Sequence, residues 1–173
     1  MASFKVQRAS ERDLVVLDRL VGEATKRLSG SWPLRTTQQN AASWIAGRAP
    51  VVMVADDTGP VGFAVALAED VPLTGPKCAQ AVVYISPGQR RRGAARAAMG
   101  ELVAVARVVG LWKLVAYALP EDVAAMSLLD RADFRHVGTL VKHVQIEGTW
   151  RDVALHERLA MASRKSLPSI GGS

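Results

Sequence analysis

Residues 82–102, VVYISPGQRRRGAARAAMGEL, constrain the chain more than any other segment, because they join an apolar strand to a helix through a turn rich in arginine and glycine. Val82, Val83 and Ile85 are β-branched, in a run that Pro87 and Gly88 end. Ala95, Ala98, Met99, Leu102, Ala106 and Val109 then recur at helical spacing, which predicts a helix over 92–109 that begins near Arg92 or Gly93. A helix start offers backbone N–H groups without intrahelical partners, together with the positive end of the dipole. Gly93, Ala94 and Ala95 carry too little side chain to block an approaching anion. The segment therefore has the anatomy of a phosphate-binding turn, and a pyrophosphate would fit there.

The rest of the chain alternates element types. A strand over 3–8 leads into a helix over 11–28, whose start carries Ser10 and Asp13 spaced as a capping-box-like pair. Gly30 to Arg35 is a break, and a second helix over 37–47 ends at Gly47 before Pro50. Strands over 51–56 and 61–68 follow, joined by the turn Asp57-Thr58-Gly59-Pro60, and 69–77 reads as a loop. Then come a strand over 79–86, the helix over 92–109, a strand over 112–118 and a helix over 121–132. A long hairpin, 134–146 with 149–160, turns at Glu147-Gly148. Residues 1–161 are expected to form a single domain, and the tail 162–173, ending Gly-Gly-Ser, to be disordered and without a role.

Composition bounds the function. With 173 residues, 49% of them hydrophobic and 22% charged, the chain can bury the core of one soluble domain. No apolar run reaches the roughly 18 residues that cross a bilayer, and the start lacks a basic-then-apolar secretory layout, so a cytoplasmic protein is expected. The amphipathic helices read as covers for a core rather than as membrane surfaces. Cys78 is the only cysteine, which excludes an intrachain disulfide, and the three histidines show no metal-ligand spacing. A balance of 22 Lys and Arg against 16 Asp and Glu gives a net charge of +6 and favours anionic partners. Nucleic acid is a poor candidate, since only 5% of residues are aromatic and none is interleaved with the arginines.

The run Arg90-Arg91-Arg92-Gly93-Ala94-Ala95 fits the pattern Q/R-x-x-G-x-G/A. With Val83-Tyr84-Ile85-Ser86-Pro87 before it, it resembles the acetyl-CoA-binding motif of the GCN5-related N-acetyltransferase (GNAT) superfamily. The resemblance runs from about residue 4 to residue 160, and points to the phosphinothricin acetyltransferase branch, which acetylates small amines. Val6 to Leu14, Ser43-Trp44-Ile45, the hairpin of Val51 to Ala55 with Val61 to Ala64, and Thr149-Trp150-Arg151-Asp152-Val153 occur in the branch's order and spacing. The resemblance implies an α/β fold of the α+β type, with a mixed sheet of about seven strands flanked by about four helices. Its two central strands, the one ending at Ser86 and the one over 112–118, would splay apart to admit the pantetheine arm. Acetyl-CoA would be held by Arg90, Arg91, Arg92, Gly93, Ala94, Ala95 and Arg96, with main-chain groups near Val83 and Ile85 pairing with the arm as an added strand does. Relatives are often dimers, so a homodimer is expected.

The positions that carry proton transfer depart from the family. An acceptor amine with a pKa near that of lysine, about 10.4, must lose a proton before it attacks the thioester. Where the branch has a glutamate before the Val-Tyr-Val strand, this chain has Gln80, which can orient an amine or a water but cannot take its proton. Asp122 falls where the family has an asparagine and could accept the same hydrogen bond; equally, Glu121 and Asp122 could serve as acidic residues in a helix's first turn. Leu129 replaces the residue that reprotonates the thiolate, leaving Tyr84, Tyr117 or water. On the substrate side stand Arg35, with Thr37 at an acidic position of the branch, and Trp44 and Trp150, with Tyr84 beside them. Trp32 is a further candidate wall, and for each tryptophan a place in the core is the plainer reading. His143 would lie opposite Asp152 if the hairpin turns as read. The expected function is N-acetyl transfer to a small-molecule amine. A non-catalytic acetyl-CoA-binding module and a protein or peptide N-acetyltransferase are the alternatives.

Overall fold

Seven strands join one mixed sheet in a computed structural model of the chain, which describes residues 4–28, 40–68 and 77–161. In chain order the elements are β1 (Lys5–Arg8), α1 (Leu14–Leu28), α2 (Ala41–Ala46), β2 (Val51–Asp56), β3 (Gly59–Ala68), β4 (Cys78–Ile85), α3 (Ala94–Val108), β5 (Lys113–Ala118), α4 (Val123–Arg131), β6 (Arg135–Ile146) and β7 (Thr149–Leu159). The sheet order is β1-β2-β3-β4-β5-β7-β6, antiparallel throughout except where β4 meets β5. This is the α+β arrangement of mixed sheet and flanking helices expected from the sequence.

Both faces of the central strands are covered, which is why β3 reads as an almost unbroken apolar run rather than as an alternation. On one face Leu17, Leu20, Val21 and Ala24 of α1 and Trp44 of α2 pack on Met53, Phe63, Val65 and Tyr84. On the other, Ala98, Met99 and Leu102 of α3 and Leu129 of α4 pack on Val54, Ala64, Ile85, Leu114 and Ala116.

Several boundaries differ from the sequence expectations, each for a local reason. Residues 11–13 form a 3-10 turn, so α1 proper begins at Leu14; Asp13 Oδ2 accepts hydrogen bonds from Ser10 N and Ser10 Oγ, each at 2.9 Å. The second helix starts at Ala41 instead of 37, because Asn40 is extended and caps it by accepting a bond from Ser43 N at 2.9 Å. The β2–β3 connection is only Asp57-Thr58, since Gly59 and Pro60 already pair with Asp56 and Ala55. Asp56 Oδ1 closes that turn by accepting from Thr58 N at 2.9 Å and Thr58 Oγ1 at 2.6 Å. The final hairpin turns at Glu147-Gly148 as read, but its ladder is interrupted at Val137 and again between Leu140 and Val144. His143 and Asp152 do not form a ladder pair there: the Asp152 carboxylate accepts Lys142 N at 2.8 Å.

A Cβ on Gly62 would sit 2.3 Å from the Tyr84 carbonyl oxygen and 2.6 Å from Ile85 Cδ1, so Gly62→Ala should cost about 1–3 kcal/mol of stability by forcing β4 aside. An unshifted denaturation midpoint would contradict that packing. His156 is 4% exposed, lies edge-on to His136 with ring centroids 5.1 Å apart, and has no hydrogen-bond partner at Nδ1 among the described residues. Burial lowers its pKa and His136 lowers it further, against an opposing pull from the Ala154 carbonyl and Asp130. The neutral ring is therefore favoured in the folded state. The stability it contributes is complete above the unfolded pKa of about 6.5 and is lost as the pH falls through the lower folded value. Thermal unfolding followed from pH 8 to pH 5 should lose less stability in His156→Phe than in the parent protein, and equal losses would rule the histidine out as the cause.

Candidate cofactor and acceptor site

The parallel contact between β4 and β5 lasts for three residue pairs, Cys78 with Lys113, Ala79 with Leu114 and Gln80 with Val115. Beyond Gln80 the strands separate, while β4 stays paired to β3 as far as Ile85. Ser86 N donates to Val61 O at 2.9 Å, which fixes the alternation along β4. The main-chain groups of Val82 and Tyr84 face β3, and those of Val83 and Ile85 face the gap, where no strand among the described residues pairs with them. Their side chains meanwhile join the core beneath α3.

At the open end of this gap the chain makes a tight turn over Pro87–Gln89 and enters α3 through Gly93, whose φ of 96° is left-handed. A side chain at Gly93 would be strained by that backbone, although nothing among the described residues lies within 4 Å of where its Cβ would stand. The approach to the N–H groups at the start of α3 is therefore open. Arg90, Arg91, Arg92 and Arg96 are all exposed, yet they do different things. Arg90 turns back so that its Nε donates to the Ile85 carbonyl at 3.1 Å, filling one of the acceptors that face the gap. Arg92 Nη1 lies 3.2 Å from Asp56 Oδ2, bonds to Gln89 Oε1, and its Cζ sits 6.0 Å from the Phe4 ring centre. Hydrogen bonds from Thr58, then the charge and hydrogen bond of Arg92, hold the Asp56 carboxyl below the usual carboxylate range. Arg90 and Arg92 thus brace the turn, and Arg91 and Arg96 leave their charge toward solvent. Ala94 is buried beneath the turn, and Ala95 packs partly on the core.

Alternation places Gln80 on the α1 and α2 face, at the point where the strands part. Val115 opposite it shares that face, and so does Tyr117 two residues further along β5. Trp44 and Tyr84 lie on the same face but inside the core: Trp44 is 2% and Tyr84 5% exposed, and Phe63 stands between them, its ring centre 5.8 Å and 5.9 Å from theirs. Burial pushes the Tyr84 hydroxyl pKa up, and the neighbouring Glu23 charge adds to this. Asp122 caps α4, its Oδ1 accepting from Ala125 N at 3.0 Å, while the neighbouring Glu121 pairs with Arg151. Trp150 stands apart at the end of the last hairpin, opposite Gln145 and 56% exposed. Arg35, Thr37 and Trp32 lie outside the described residues.

Sequence reasoning missed Glu23. From α1 it accepts hydrogen bonds from Ser86 Oγ at 3.0 Å and from Tyr84 OH at 3.4 Å, residues more than sixty positions away in the chain. Its i,i+4 spacing from Arg19 was the only local signal, and that signal describes an ordinary surface pair. Asp56 was missed for a similar reason, since its role depends on the β2–β3 turn meeting Arg92.

The Brucella melitensis ribosomal-protein-alanine N-acetyltransferase superposes with a TM-score of 0.75 at 23% identity, covering 90% of this chain and 99% of its own. The Salmonella typhimurium yncA protein, solved with its cofactor acetyl-CoA, gives 0.78 at 18% identity over 93% and 96%. A phosphinothricin acetyltransferase from Sinorhizobium meliloti, in complex with acetyl-CoA, gives 0.76 at 21% identity over 97% and 94%. No curated protein matches by sequence. The acetyltransferase (GNAT) family model matches residues 17–134. With that match spanning more than half of the sequence, on a sheet split between β4 and β5, the chain belongs to the GNAT acetyltransferase family.

Proposed function

We propose that this protein transfers the acetyl group of acetyl-CoA, the co-substrate its family uses, to the primary amine of a small molecule. The observation that carries the reading is the parting of β4 from β5 after Gln80, on a strand that leads through one tight turn to the helix start at Gly93. The residues present fit the cofactor: an extended amide-bearing arm can pair with the gap-facing main chain of Val83, and a diphosphate can rest on the N–H groups at the start of α3 beside Arg91 and Arg96. Residues 1–161 are read as one domain, supported by a single sheet that runs from Lys5 to Leu159.

In the reaction an N–C bond forms as the thioester C–S bond breaks; the ammonium sheds one proton before attack, the nitrogen sheds a second as the amide forms, and the departing thiolate takes up one, leaving one for solvent. Gln80, at the apex of the gap on the α1 and α2 face, taken as the acceptor face, orients the amine or a water by hydrogen bonding. Gap-facing N–H groups stabilise negative charge that develops on the carbonyl oxygen. Tyr84, buried and with a raised pKa, keeps its proton and serves as wall rather than acid. Tyr117 shares the acceptor face with Gln80 and is the tyrosine left to protonate the thiolate.

Thiol release from acetyl-CoA, measured with amino acids, sulfoximines, aminoglycosides and peptides, should show turnover on a small amine. Turnover on peptides alone would instead select the protein-acetylating alternative, and tight cofactor binding without turnover on any amine the non-catalytic one. On an active amine, Gln80→Glu should raise turnover or shift the pH–rate profile toward lower pH by supplying a base. An unchanged profile would place proton removal elsewhere.

A further inference from the structure

We propose that Glu23 is a positioning residue for the cofactor: a carboxylate on α1 that fixes Ser86, the residue that follows β4, and with it the turn that receives the diphosphate. Ser86 is where the strand ends, and it is held from three directions. Its N–H donates to Val61 O at 2.9 Å, which belongs to the sheet, and its carbonyl accepts from Gln89 N at 2.9 Å, which belongs to the turn. Its hydroxyl donates to Glu23 Oε2 at 3.0 Å, a bond from the helix layer on the acceptor face. Tyr84 OH approaches the same oxygen at 3.4 Å.

The rest of α1 grips the sheet through Leu17, Leu20, Val21 and Ala24, which are wholly or almost wholly buried. Apolar packing of this kind sets the distance between layers but is non-directional, so it resists sliding along the strand only weakly. A hydrogen bond to a charged acceptor is directional and stronger than a neutral one, and it sets the register of helix against strand end. Glu23 can be spared for this because its other oxygen is engaged: Arg19 Nη1 lies 2.5 Å from Oε1, and Arg19 Nη2 reaches Pro60 O at 3.4 Å. The pair is neutral as a unit, so the carboxylate adds little repulsion toward an incoming diphosphate. From Ser86 the path to the anion site is short. The 3-10 turn follows at once, Arg90 returns to the Ile85 carbonyl, and Gly93 opens α3. A slip at Ser86 moves the start of α3 relative to the gap, and geometry of this kind governs binding steeply.

The inference rests on the reading that the turn over 90–96 receives the diphosphate, and the test separates the two. Calorimetric titration of the whole chain with coenzyme A should show Glu23→Ala weakening affinity by about 3- to 10-fold, a part of the worth of one charged hydrogen bond, since the bond acts on the ligand through the turn. Ser86→Ala, a small change that supplies the test even where Glu23→Ala folds poorly, should weaken it by the same factor. The double variant should be no weaker than either single one. Glu23→Gln, which still offers an oxygen to both hydroxyls, should recover most of the affinity. An Arg91→Ala/Arg96→Ala variant reports on the turn itself. If that variant loses affinity while Glu23→Ala and Ser86→Ala bind as the parent does, the positioning role is overturned and the turn assignment stands. If the arginine variant also binds unchanged, the turn assignment falls and the role of Glu23 falls with it. A lower melting temperature with unaltered affinity in Glu23→Ala would mark the residue as a stabiliser only, and would equally overturn the proposal.

Discussion

Everything in this architecture turns on a short run of strand pairing. Two parallel strands that remained paired to their ends would satisfy each other's main-chain groups and leave nothing for a ligand. Here the pairing stops after Gln80, and β4 survives as an ordered strand only because β3 continues to hold its other side as far as Ile85. Buried backbone donors and acceptors must find partners. A half-paired strand is therefore rigid and receptive at once, and the core beneath α3 lets Val83 and Ile85 pack their side chains while their backbone stays available.

Holding such an edge open needs bracing, and much of the charge around the turn is spent on it. Family likeness pointed to a cluster of arginines around the cofactor, and two of the four also make bonds within the protein, Arg90 to the Ile85 carbonyl and Arg92 to Asp56. Arg92 anchors the turn to the β2–β3 connection through a carboxylate whose side chain is 1% exposed, and Arg90 ties it back to its own strand. Under the proposed function, order of this kind lowers the entropic cost of gathering a flexible, highly charged ligand.

What the sequence disclosed was whatever local chemistry decides. Pro87-Gly88 ended a strand and Gly93 opened a helix, and the Glu147-Gly148 turn was legible from its residues alone. The start of α2 was placed too early, although Asn40 and Ser43 carried a capping signal. The strand split came only from family likeness, since nothing in Ala81 or Ala116 says that they part. Glu23 and Asp56 stayed hidden because each acquires its meaning from a partner brought near by topology. The tryptophans divided as aromatic residues in a small domain tend to: Trp44 went to the core and Trp150 to solvent.

The outermost strand has a consequence of its own. β6 is a sheet edge twelve residues long, and an edge of that length invites a neighbouring molecule to zip onto it. Its irregularities at Val137 and over 141–143, with Lys142 at a φ of 47°, break the outward row of amides and carbonyls into short pieces. A foreign strand could find purchase on any one piece but could not travel along the whole, so the same kinks that spoil the hairpin's symmetry shorten the template this edge offers to another chain.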